Sequence, residues 1–256
     1  MIRFVIYLAL AMSCAQAAPL RLAFNTLAPW KIYDAQGQAA GAYTEVVREL
    51  ARRLGLEFKA IDCPLKRCLA LLEHGEVDVA IGLQSSGERE KYLHFLQTPY
   101  RLHASDKVFY LRRGEQGRLQ RYEDLHGLTV GTRLGSEVFD RFDDDRQIRK
   151  EAVPDPAVNF RKLLLRRLDA VAIPEDQGEF LLATLQLGQQ IEKAPFRQLD
   201  ATPRFLAVAR LSPLATRLSD FEAAMAAMRN DGTLRRLYLI HYYQRFGVSE
   251  QAVPIE

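Results

Sequence analysis

The run Gly82-Leu83-Gln84-Ser85-Ser86-Gly87-Glu88-Arg89, followed ten residues later by Pro99-Tyr100, holds the side chain best placed for ligand chemistry. It begins where the apolar Val77-Asp78-Val79-Ala80-Ile81 gives way to small and polar residues. Arg89 is therefore expected at the mouth of a sheet, where ligands of open α/β folds bind. Its planar fork of donors suits a carboxylate, which it can hold by two parallel charge-assisted hydrogen bonds. A solvated surface arginine would look the same locally. The rest of the chain decides between the two readings.

Other chemistry is sparse. The five histidines are scattered, with no metal-ligand spacing and no serine or cysteine nucleophile pattern. No catalytic residue, metal site or cofactor is read, and a binding protein rather than an enzyme is expected. Net charge is only +3, and the basic clusters Arg112-Arg113, Arg146 to Lys150 and Arg161 to Arg167 lack aromatic interleaving. Solvated faces explain them, and nucleic acid is excluded as a partner.

The N-terminus reads as a secretory leader over residues 1–17. Met1-Ile2-Arg3 precedes an apolar stretch from Phe4 to Met12, and Ala15-Gln16-Ala17 supplies a small-x-small cleavage site. A lipoprotein leader on Cys14 would want a large aliphatic residue where Ala11 stands. An exported, periplasmic chain follows, with Cys63 and Cys68 as a disulfide candidate. Residues five apart on a helix starting at Pro64 would lie beyond the ~7 Å bridging limit, so the bond predicts a helix beginning nearer Lys66.

The elements alternate. Leu20 to Phe24 reads as a strand, Asp34-Ala35-Gln36-Gly37 as a hairpin turn, and Tyr43, Val46, Val47, Leu50, Ala51 and Leu54 recur at helical spacing up to Gly55. A strand at Glu57 to Ile61, a helix at Leu65 to Glu73 and a strand at Val77 to Ile81 continue an α/β pattern. A helix over Asn159 to Arg167 leading into Leu168-Asp169-Ala170-Val171-Ala172-Ile173 repeats that unit, and Gly135-Ser136-Glu137 is read as opening another helix. Leu214, Leu218, Phe221, Met225 and Met228 mark a late helix, and Asp231-Gly232-Thr233-Leu234 marks a stop and restart.

The order of these pieces resembles the family 3 extracellular solute-binding proteins. The resemblance rests on Ala28-Pro29-Trp30, Gly41, Gly75-Glu76-Val77-Asp78, Ser86 to Arg89 with Pro99-Tyr100, Asp124-Leu125-His126-Gly127, Gly135-Ser136, Leu168-Asp169-Ala170 and Asp231-Gly232-Thr233. It implies an α/β, two-lobed periplasmic-binding-protein fold of type II, with two crossing strands near Lys107 to Leu111 and Phe205 to Ala209. Residues 18–108 and 207–256 would form one lobe and 109–206 the other. By position, Arg89 would clamp a carboxylate beside Gly82, Gln84 and Ser86, Trp30 would lie against the ligand's body, and Gly135, Ser136 and Glu137 would offer backbone N–H groups. The family's acid for an amino group falls at Pro174, which cannot serve, so Glu175 would take the role or the ligand is not an ordinary amino acid. The implied function is capture of a small carboxylate-bearing solute, an amino acid or a relative, by a monomer that delivers it to an ABC transporter permease. A sensor-input protein and a cyclohexadienyl dehydratase-like enzyme are the alternatives on this fold.

Overall fold

The computed structural model describes residues 18–255, so the leader read at residues 1–17 lies outside the described residues. The chain begins with β1 (Leu20–Phe24), the hairpin β2 (Ile32–Tyr33) and β3 (Ala39–Ala40), α1 (Ala42–Arg53), β4 (Phe58–Asp62), α2 (Leu65–Glu73), β5 (Val79–Ala80), α3 (Gly87–Glu90) and β6 (Leu93–Phe95). A middle stretch follows: β7 (Lys107–Arg112), β8 (Thr129–Arg133), α4 (Asp140–Asp144), β9 (Arg149–Val153), α5 (Pro156–Leu164), β10 (Ala170–Pro174), α6 (Glu175–Thr184) and β11 (Ile191–Gln198). The last part holds β12 (Ala207–Ala209), α7 (Leu218–Asn230), α8 (Thr233–Tyr238) and a wide helical turn at Leu239–Gln244.

These strands form two five-stranded sheets. The first runs β4-β1-β5-β12-β6, so a strand from the end of the chain sits inside a sheet begun at its start. The second runs β11-β7-β10-β8-β9. In the first sheet β1 is parallel to β4 and β5, and β12 is antiparallel to both its neighbours. Helix α1 shows how the core closes on it: Tyr43, Val46, Val47, Leu50 and Ala51 fall on one stripe and are buried. Gly41, just before that helix, has φ +101°, and a Cβ there would run into the Trp30 carbonyl. Glycine thus lets the Trp30 turn press on the start of α1.

Two segments cross between the sheets, 96–106 going out and 199–206 returning. They run antiparallel, joined by Leu96 N–H to Leu206 O, Tyr100 N–H to Arg204 O and Arg204 N–H to Arg101 O, each 2.9 Å. The outgoing segment thus lies just N-terminal to Lys107–Leu111, and the returning one overlaps the expected Phe205–Ala209 at 205–206. Val108, Phe109, Tyr110 and Leu111 are all buried and belong to β7, while Ala207–Ala209 are β12. Nothing in such apolar runs favours a hinge over a sheet interior.

One other reading needs correction. No helix opens at Gly135: the chain makes a turn there, with Ser136 N–H on the Arg133 carbonyl at 3.2 Å and Gly135 at φ +74°. Helix α4 starts only at Asp140, after Val138 and Phe139 have packed in extended form. The Cys63–Cys68 disulfide is present as expected: α2 begins at Leu65 and not at Pro64, so Cys63 lies outside the helix and its Cα approaches that of Cys68 to 5.3 Å. Among the described residues no helix is long and apolar enough to cross a membrane.

Candidate ligand-binding site

A cavity of about 210 Å³ lies where the two sheets and the crossing segments meet. The first half contributes Leu27, Trp30, Tyr43 and the Gly82–Gln84 edge. The crossing gives Tyr100, Arg101 and Arg204, and the second half gives Lys107, Asp176 and Gln177.

Its wall is aromatic. Trp30 stacks on Tyr43 at 4.8 Å between ring centroids and on Tyr242 at 4.5 Å, and it is 2% exposed. Tyr100 stands edge-on to Tyr43 at 5.0 Å, and its hydroxyl accepts the Gly82 N–H at 3.1 Å. Trp30 is therefore both core and cavity lining. Burying a ring of that size contributes on the order of 3 kcal/mol.

The charged groups are more informative. Arg101 is 2% exposed and donates from Nη1 to Asp176 Oδ2 at 2.8 Å and to the Tyr43 hydroxyl at 3.2 Å. Trp30 Nε1–H also reaches Asp176 Oδ2, at 3.0 Å, and the Tyr242 hydroxyl donates to the Asp176 carbonyl at 2.8 Å. Asp176 is thus a clasp: a residue of the second sheet's side, held by a tryptophan from the start of the chain, a tyrosine from its last part and an arginine of the crossing. Removing one partner of so buried a pair costs about 3–5 kcal/mol, since the other charge is left desolvated. Burial opposes the Arg101 charge, but Tyr43 and Asp176 more than restore it, and its pKa lies above the ordinary arginine value. Lys107 is pushed the other way, chiefly by desolvation, with Asp200 opposing.

Of the residues assigned to ligand binding from the sequence, Trp30, Gly82 and Gln84 line this cavity and the others do not. Arg89 is half-buried at the rim, its Nη1 donating to the Gln84 carbonyl at 2.6 Å. Ser86 caps α3 and accepts the Arg89 N–H. Gly135, Ser136 and Glu137 are exposed in their turn. Glu175 is buried but faces away, paired with Lys193 at 2.7 Å and Arg197 at 3.3 Å. Glu175 and Asp176 open α6, where successive side chains diverge by about 100°, so only one can face the cavity. The residues missed were Tyr43, Arg101, Lys107, Asp176 and Arg204. Arg101 did carry a signal, for it follows the Pro99-Tyr100 pair already singled out.

Several comparisons bear on this arrangement. The L-cystine-binding protein TcyJ of Escherichia coli strain K12 is 24% identical over 220 residues, covering 83% of this chain and 78% of that one. The solved structure of an ancestral arginine-binding protein bound to arginine superposes with a TM-score of 0.69 at 21% identity, covering 89% of this chain and 99% of the other. An ancestral amino acid-binding protein described as a precursor of cyclohexadienyl dehydratase gives 0.68 at 19% identity, covering 88% and 95%. The shared fold is the two-sheet α/β architecture of type II periplasmic binding proteins. Residues 20–243 match the family model described as bacterial extracellular solute-binding proteins, family 3, and the chain belongs to that family.

Proposed function

We propose that this chain captures a small carboxylate-bearing solute, an amino acid or a relative of one, and delivers it to the membrane permease of an ABC transporter. The observation that carries the reading is the cavity itself: it is lined from both halves, and its charged residues are three cations and one acid that is already ion-paired. A solute touching both halves binds their closed arrangement better than any open one, which is what drives closure. Family membership and relatives named for cystine and arginine support an amino-acid-like solute. In this reading the chain is a binding protein and not an enzyme, works as a monomer without a cofactor, and resides in the periplasm after cleavage behind Ala17.

Trp30 backs the aromatic wall against which the solute's body would lie, with the Gly82–Gln84 edge beside it. Arg89, standing outside the cavity lining, would join the set together with Ser86 and the Gly135–Glu137 turn in a tighter closure. A thermal-shift screen of amino acids, dicarboxylates, polyamines and aromatic acids tests the proposal. A ligand at a hundred times its Kd adds about 2.7 kcal/mol of stability. A carboxylate is expected to raise the midpoint; stabilisation by polyamines alone overturns the reading.

A further inference from the structure

Arg101 is only half used by the protein. Its Nη1 serves Asp176 and Tyr43, while Nε and Nη2 are buried with no hydrogen-bond partner. Those two nitrogens make one edge of the guanidinium, with two parallel N–H groups, and a carboxylate is the acceptor that satisfies both at once. An orphaned donor pair on a side chain lining a cavity calls for a ligand acceptor.

The acids around the cavity are, by contrast, fully engaged. Asp176 gives Oδ2 to Arg101 and Trp30 and Oδ1 to the Gln177 N–H. Asp200 gives Oδ2 to Arg204 at 3.2 Å and Lys107 at 3.9 Å, and Oδ1 to the Thr202 N–H. Farther out, Asp106 and Glu175 are both paired with Arg197. Three cations, Arg101, Lys107 and Arg204, thus stand against two acids, Asp176 and Asp200. Within this inner group the cations exceed the acids by one, and each of its acids is already paired with a cation.

We infer that the solute is a carboxylate without an ammonium group, received on the Nε–Nη2 edge of Arg101. This rests on the proposed capture of a carboxylate solute and narrows its class. An ammonium ion placed here would meet excess positive charge and give up its hydration with no acid to replace it. A des-amino or oxo acid of amino-acid size meets the opposite situation.

The test uses matched pairs on the wild-type protein by calorimetry: phenylalanine against 3-phenylpropanoate, leucine against 4-methylpentanoate, glutamate against glutarate. The acid lacking nitrogen is expected to bind at least tenfold tighter than its amino partner. Tighter binding of the amino acids overturns the inference and leaves carboxylate capture standing. If no carboxylate here or in the wider screen binds, the capture reading fails and the inference with it. A second arm needs Arg101→Lys, which keeps the charge beside Asp176 but not the parallel donors, with circular dichroism to confirm the fold. Loss of about thirtyfold or more in affinity is expected; an unchanged Kd in folded Arg101→Lys, or a larger loss in Arg89→Ala, overturns the assignment to Arg101.

Discussion

Lys31 offers a measurement that isolates one buried charge. It is 1% exposed, and its Nζ donates to two neutral acceptors, Asn25 Oδ1 at 2.7 Å and the Ile81 carbonyl at 3.0 Å. Desolvation pulls its pKa from the ordinary 10.5 down to about 7. Below pH 7 the lysine is protonated in both states, and the folded protein bears the full cost of the buried charge. Between about 7 and 10.5 the unfolded chain holds the extra proton, so stability rises with pH by about 1.4 kcal/mol per unit. The whole span is worth on the order of 5 kcal/mol. Lys31→Met removes the titration and leaves two acceptors short of a donor, a cost of ~1–3 kcal/mol each that does not depend on pH. Urea denaturation of both proteins at pH 6, 7.5 and 9.5 reads the effect, because every other titration cancels in the difference. Wild type minus variant should be flat up to about pH 7 and then climb by roughly 3 kcal/mol by pH 9.5. A difference that stays constant across this range would refute the assignment of an unpaired, desolvated lysine.

Two further outcomes follow from packing and from the N-terminus. Gly178→Ala places a Cβ against the ring of Tyr110, whose side chain is fully buried, and overpacking of this kind costs about 1–3 kcal/mol, so the melting midpoint should drop by several degrees; an unchanged midpoint would show that α6 can shift freely. Intact mass of protein recovered from the periplasm should match a chain starting at Ala18, and a lipid-bearing Cys14 product would overturn that cleavage.

Local patterns were legible because their causes are local. The strand Leu20–Phe24, the helix from Leu65 and the restart at Gly232 follow from alternation, helical spacing and a left-handed glycine, and all are where the sequence places them. Helix α6 was missed because Phe180, Leu181 and Leu182 stand consecutively and trace no stripe. The site divides the same way. Trp30 and Gly82 sit in turns whose residues announce them. The clasp joins Arg101 to Asp176 across 75 positions and Trp30 to Asp176 across 146, and neither residue differs locally from a surface charge. Only the folded chain shows that two such charges have been taken out of water together.

The place of β12 constrains the order in which the molecule can be assembled. Residues 207–209 fill the slot between β5 and β6, whose own strands were made more than a hundred residues earlier. A ribosome that has released only the first two hundred residues has delivered four strands of a sheet with its interior position open. That sheet exposes two pairing edges and an apolar face until the last fifth of the chain arrives. Such a chain cannot fold its first half early and then wait, so its slow contacts are long-range ones that form late. The same delay leaves the nascent chain open to edge-to-edge association if synthesis stalls before β12.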